Sequence, residues 1–269
     1  MPDSRFDSRN SPAPARAINP YDGILLVDKP SGPTSHDIVA AIRSHFRFNK
    51  VGHGGTLDPQ ATGLLVILLG KGTKLSNRFS GSDKNYEGTM RLGISTDSQD
   101  AQGTVLREAD SSQVTLEQLE AAAKKLTGDI MQMPPMVSAV KINGVPLYKR
   151  ARKGETIERE PKLVHVYEFS LLSFTPPRVS FFLRCSKGTY VRTICSDIGD
   201  ALGCGAHLEQ LRRTRCGDFS IEDAVPFDRI LKMDLGELAG KIIGLHRIAS
   251  SAPSVINNPA PDRKGTRTP

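Results

Sequence analysis

Most signatures of common chemistries are missing from this chain of 269 residues. Its four cysteines, Cys185, Cys195, Cys204 and Cys216, form no C-x-x-C pair and have no neighbouring histidine pair. That spacing argues against a zinc site, and reduced, mostly buried thiols are expected. GLLVILLGKGTK looks at first like a phosphate loop. However, six residues separate Gly63 from Gly70, and Lys71 is followed by Gly72. A nucleotide-binding loop needs a shorter gap and then Lys-Ser/Thr. H-E-x-x-H, H-x-E with P-C-x-x-C, and G-x-S-x-G are all absent. Zinc peptidase, zinc-dependent deaminase and serine-hydrolase chemistries lose their own signatures with them. No apolar run exceeds six residues, far short of a membrane span. Residues 1–20 are polar, rich in Pro and Ser, and lack the apolar core of a secretory signal. They are expected to form a disordered arm, and the protein to reside in the cytoplasm.

What is present is an ordinary soluble composition with a biased charge. Hydrophobic residues make up 38% and charged residues 24%. The net charge is +7, and the segment from Lys141 to Arg215 alone holds 14 Lys/Arg against 7 Asp/Glu. Such a concentration fits a polyanionic partner, most often nucleic acid, and equally a solvated basic face.

Periodicity gives the elements. GILLVDKP (23–30) reads as a buried strand, and SHDIVAAIRSHF (35–46) as a helix with Ser35 at its N-cap. GLLVILLG (63–70) is a strand apolar at every position, so both faces should be covered. KNYEGTMRLG (84–93) has strand character. TLEQLEAAAKKLTG (115–128) is the clearest helix, with Thr115 and Gln118 at capping-box spacing and Gly128 as the stop. Residues 133–155 read as a loop with a short hairpin and helix, 165–174 and 178–194 as strands, and 192–202 as a helix. Residues 230–248 could make one helix, and the end from Ala249 is low in apolar content. Strands outnumber helices without a strict alternating rhythm. The class is therefore α+β, with a mostly antiparallel or mixed sheet.

GGTLDPQATG (54–63) presents one carboxylate, Asp58, on a glycine-walled loop. Gly54 and Gly55 let backbone approach closely, and Pro59 biases Asp58 toward an extended conformation. The decapeptide alone also fits a turn aspartate that caps the next segment. The rest of the chain changes the odds. VGHGGTLDPQATGLLVILLG (51–70) closely resembles the central motif of the TruB family of tRNA pseudouridine synthases. ILLVDKPSGPTSHDIV (24–39) resembles that family's N-terminal motif, and SDKNYEGTMRLGISTDSQDAQG (82–103) its tyrosine motif. MPPMVSAVKINGVPLYKRARKGE (133–155) is similar to its insertion. CSKGTYVRTICSDIGDALGCGAHLEQLRRTRCGDFS (185–220) resembles its arginine and leucine motifs. The matches are collinear.

The resemblance implies the pseudouridine synthase fold, α+β with a mixed, largely antiparallel central sheet, flanking helices and a catalytic cleft, and conversion of uridine 55 in the tRNA T-loop to pseudouridine. Atoms are conserved in that isomerisation, so no cofactor and no metal is expected. It implies Asp58 as the nucleophile on a flipped-out base, Arg192 as the guanidinium that keeps it ionised and oriented, and Tyr86 as the active-site aromatic against the uracil. His53, Tyr190, Leu211 and Lys29 are implied at the substrate: His53 filling the space of the flipped base, Leu211 as an apolar wall, Lys29 with Pro30 supporting the loop. Lys141, Lys149, Arg150, Arg152 and Lys153 fall in the RNA-gripping insertion and should contact backbone phosphate. The expected partner is the tRNA T-arm, with no membrane, and the protein is expected as a monomer. A catalytic domain is expected over 21–227. Residues 228–269 are expected as a short, partly disordered extension without a complete C-terminal RNA-binding domain. A tRNA-folding chaperone and a guide-dependent synthase are the alternative functions.

Overall fold

The computed structural model describes residues 19–138, 141–142, 145–146 and 157–250, without the side chains of 141–142, 145–146 and 249–250. In chain order the elements begin with β1 (Gly23–Lys29), α1 (Ser35–His45), β2 (Val51–His53) and β3 (Thr62–Leu69). A 3-10 turn then leads to α2 (Ser76–Ser80), β4 (Lys84–Leu92), β5 (Ile94–Thr96), β6 (Val105–Glu108), α3 (Leu116–Lys125) and β7 (Gly128–Gln132). Next come β8 (Lys141–Ile142), β9 (Val145–Pro146), β10 (Lys162–Thr175), β11 (Arg178–Cys185), α4 (Val191–Ala201) and β12 (Ala206–Cys216). The described chain closes with β13 (Phe219–Ser220), β14 (Val225–Pro226), α5 (Phe227–Ile230), α6 (Leu235–Lys241), β15 (Ile243–Gly244) and α7 (Leu245–Ser250).

One mixed sheet organises the protein, in the order β14-β1-β3-β12-β4-β11-β10-β7. Most neighbours are antiparallel; β3 with β12 and β1 with β14 are parallel. This is the α+β arrangement read from the sequence. Strand β3 shows why that run had to be apolar throughout. Leu65, Ile67 and Leu69 enter the main core beside Ile38 and Ile42 of α1 and Ile194 and Ile198 of α4. Leu64, Val66 and Leu68 enter a second core with Phe79, Cys216 and Ile248. Both faces are covered, so alternation has no place in the strand.

Several boundaries differ from the expectation. Helix α1 is capped by Thr34, whose hydroxyl accepts from Asp37 N while the Asp37 carboxylate accepts from Thr34 N. Ser35 is released from capping and instead exchanges two hydrogen bonds with the main chain of Leu57, at 2.8 and 3.0 Å. Helix α3 keeps its Thr115–Gln118 capping box, but its cap falls at Leu126 and Gly128 opens β7. Residues 186–190 lie between β11 and α4 rather than continuing a strand. Residues 230–248 are not one helix. Asp234 and Glu237 form a new capping box that restarts the chain as α6, and Ile243–Gly244 then leave the helix to pair with β1. Ile230, Met233 and Leu238 of this stretch lie in the main core. The hairpin expected within 133–155 appears as β8–β9; its helix lies outside the described residues.

Strand β12 escaped the sequence reading, yet it sits at the sheet's centre, between β3 and β4. Its close approach to β3 depends on Gly63, at φ +98, where an added Cβ would collide with the main-chain oxygen of Arg213. Gly63→Ala should therefore separate the two strands and destabilise the fold by at least about 3 kcal/mol, the sum of a positive-φ penalty and a backbone clash. A urea midpoint equal to that of the unmodified protein would refute this. No helix among the described residues is long and apolar enough to cross a membrane.

Candidate active site

The loop 54–63 is pinned from beneath by three buried side chains. Lys29, at the end of β1, donates from Nζ to the carbonyls of Pro30, Pro59 and Ala61 at 2.8, 2.9 and 2.8 Å. Ser35 fastens Leu57, as described above. Arg213, on β12 and 1% exposed, donates from Nε to Leu64 O at 2.7 Å, from Nη1 to Thr56 O at 3.3 Å and from Nη2 to Gly55 O at 3.1 Å. Gly55 takes φ +141, which turns its carbonyl to that guanidinium. The main chain on both sides of Asp58 is thus held, and its side chain has few directions left.

Asp58 Oδ2 lies 3.0 Å from Arg192 Nε. The arginine stands in the first turn of α4 with its side chain only 5% exposed, whereas the Asp58 side chain is 44% exposed. Every nitrogen of the guanidinium is engaged. Nη1 reaches Ser98 O at 3.1 Å and Asp100 Oδ2 at 3.3 Å, and Nη2 donates to Val137 O at 2.8 Å. The cation is therefore a fixture that aims Asp58, and a swinging arginine is excluded. It does not fully offset the surroundings. Burial pushes the Asp58 carboxyl above the usual carboxylate range and Asp100 adds to this, against the opposing charges of Arg192 and Lys29.

Asp58 and Arg192 open on a cavity of about 270 Å³, whose wall also includes Tyr86, Tyr190, Leu211 and Ser138. Tyr86 comes from the central strand β4 and is buried. Burial lifts its hydroxyl to about 12, opposed by the charge and hydrogen bond of Arg213, so at neutral pH it is a phenol. Tyr190 caps the start of α4, and its main chain is clamped by Gln132, which donates to Tyr190 O at 3.1 Å and accepts from Tyr190 N at 2.7 Å.

The chain thus brings Asp58, Arg192, Tyr86, Tyr190 and Leu211 to one cavity. Two other expected residues stand apart from it. All three Nζ protons of Lys29 are taken by loop carbonyls, so it supports the loop and does not line the cavity. Burial brings its amine down to about 8. Lys29→Met should leave three carbonyls without that donor and lower stability by about 2 kcal/mol or more, read from urea unfolding. An unchanged midpoint would show that water replaces the amine. His53 is half-buried on β2, its Nδ1 facing Gly55 N at 3.4 Å, and does not line the cavity. Burial and the Arg213 charge hold its ring below the usual histidine value. Lys149, Arg150, Arg152 and Lys153 lie outside the described residues, as does the side chain of Lys141. Arg213 and Asp100 carry the geometry yet were not singled out from the sequence. The signal available for Arg213 was its place in the pair of arginines that follows Leu211.

Comparison with known proteins places this geometry. The TruB family pseudouridylate synthase N-terminal domain matches residues 43–191, and the tRNA pseudouridylate synthase B C-terminal domain matches residues 192–236. The tRNA pseudouridine synthase B of Opitutus terrae is 49% identical over 235 residues, covering 87% of this chain and 96% of that protein. The tRNA pseudouridine synthase B of Burkholderia mallei is 44% identical over 247 residues, covering 91% of this chain and 78% of that protein. Among solved structures, a chain of a Cbf5-Nop10-Gar1 complex aligns with a TM-score of 0.64 at 30% identity, over 84% of this chain and 61% of that one. The mixed sheet with flanking helices is the pseudouridine synthase fold, and the chain belongs to the TruB family of pseudouridylate synthases.

Proposed function

We propose that this protein converts uridine to pseudouridine in tRNA, at position 55 of the T-loop, with Asp58 as the nucleophile. The observation that carries the reading is the 3.0 Å pairing of Asp58 with a buried Arg192 at a cavity shared with Tyr86, Tyr190 and Leu211. The N1–C1′ bond breaks, the uracil turns while held, and C5 bonds to C1′. A carboxylate beside the sugar serves this by covalent capture or by stabilising positive charge at the anomeric carbon. Reaching the glycosidic bond requires the nucleotide to leave its stack, and Tyr86 supplies the aromatic platform that receives the base. Leu211 closes the wall against water. Lys141, Lys149, Arg150, Arg152 and Lys153 grip phosphate with little sequence reading, so affinity falls with salt. His53 takes up the space of the flipped base from the start of the loop. The protein works as a monomer in the cytoplasm, with the T-arm as partner. The catalytic unit is proposed as 21–227, with Ile230, Met233 and Leu238 completing its core from the segment that follows.

Mass spectrometry of tRNA after pseudouridine-specific derivatisation tests this directly, with and without the protein. Purified protein should also modify an unmodified T-arm hairpin without added RNA. Failure on the hairpin alone, with activity restored by a guide RNA, would favour a guide-dependent enzyme.

A further inference from the structure

Among the polar side chains of the cavity wall, one is buried without a hydrogen-bond partner among the described residues. Ser138 is 5% exposed, lines the cavity, and its Oγ has no hydrogen-bond partner among the described residues. A buried hydroxyl left without a partner is costly, and native proteins seldom keep one without a reason. The other buried polar atoms in this condition, Arg91 Nε and Arg159 Nε, belong to guanidiniums that do not line this cavity.

The position of Ser138 is set by the machinery itself. The carbonyl of the preceding Val137 accepts from Arg192 Nη2 at 2.8 Å, while Asp58 holds Nε of the same guanidinium at 3.0 Å. Ser138 N donates to Met136 O at 3.1 Å, which fixes the turn. Its hydroxyl lies beside the Tyr190 phenol, near enough to oppose the rise that burial causes there, though the two make no hydrogen bond of acceptable geometry. Asp58 and the Val137 carbonyl, one peptide bond before Ser138, are thus held by two nitrogens of one planar group. If Asp58 acts at C1′, the hydroxyl carried by the neighbouring carbon C2′ is the ribose hydroxyl nearest the reacting centre. Tyr86 and Leu211, proposed above to receive the base, line the same cavity from the strands β4 and β12.

Resting on the function proposed above, we infer that Ser138 contacts the substrate: its Oγ hydrogen-bonds the 2′-hydroxyl of the target nucleotide. That group both donates and accepts, so it satisfies the serine in either sense and distinguishes RNA from DNA at this position.

The test uses T-arm hairpins carrying uridine or 2′-deoxyuridine at the target. Affinities are measured in the Asp58→Asn protein so that neither hairpin turns over. Adding Ser138→Ala should weaken binding of the uridine hairpin about tenfold and that of the deoxyuridine hairpin less than twofold, the loss expected for one hydrogen bond. Ser138→Cys keeps the shape, should act in the same direction, and with melting curves guards against a folding artefact. Equal weakening of both hairpins, or of neither, overturns the serine assignment alone. Absence of pseudouridine formation by the unmodified protein on the uridine hairpin overturns the functional reading beneath it.

Discussion

Asp58→Asn is expected to stop pseudouridine formation and leave the fold intact. The size of the loss separates two roles for the carboxylate. If Asp58 only stabilises charge, turnover should fall about a hundredfold to a thousandfold. Removal of a covalent nucleophile should cost about 10⁴-fold or more. Single-turnover assays on the T-arm hairpin resolve these ranges. The same substitution should not reduce stability at neutral pH. Burial raises the folded pKa of Asp58 above its unfolded value, so the folded protein holds that proton more tightly. The associated stability is complete below the unfolded pKa and is lost as pH rises through the folded value. The raised pKa means that burial disfavours the charged carboxylate here, so the uncharged Asp58→Asn side chain should melt at the same or a higher temperature. Full turnover in this variant would remove Asp58 from the mechanism, and a lower melting temperature would mean that its ion pair outweighs burial.

Arg192→Met should be damaging in both respects. It leaves Asp58 and Asp100 facing each other without the cation between them and frees the carbonyls of Ser98 and Val137. Breaking a buried pair costs about 3–5 kcal/mol. The low end applies, because Asp58 is half exposed and can be hydrated or protonated. Activity should fall about a thousandfold. With the attraction of Arg192 removed and the repulsion of Asp100 retained, the Asp58 pKa rises further, so the acid limb of the pH–rate profile moves to higher pH. Arg192→Lys should recover part of the stability and little of the rate, since an ammonium cannot occupy all the positions a planar guanidinium holds. A profile with an unmoved acid limb would show that the titrating group is not Asp58.

The apolar elements were legible because their periodicity has one cause. The β1 and β3 runs report burial between two cores, and the inward Ile194 and Ile198 of α4 report burial against the main one. The pairing of Asp58 with Arg192 was readable only through the collinear motifs, since 134 positions separate them and no periodicity links them. Strand β12 was illegible for a physical reason. It carries Glu209, Gln210, Arg212, Arg213 and Arg215 through the middle of a sheet, which a search for apolar alternation reads as surface. The exception is possible because Arg213 spends its donors on Leu64, Thr56 and Gly55, and Arg212 pairs with Asp28 at 2.7 Å. The Ser35 expectation failed in a similar way: its hydroxyl was already committed to Leu57, leaving Thr34 to cap the helix.

The bond from Arg213 to Leu64 spans 149 residues of sequence. During synthesis the loop bearing Asp58 leaves the ribosome long before the arginine that shapes it. A nascent chain can assemble β1, α1 and β3 early, but the reactive carboxylate gains its aim only when β12 slots between β3 and β4. On the function proposed above, a chain that still lacks β12 should be inactive toward RNA, and closure of the central sheet is the step that completes the loop's support.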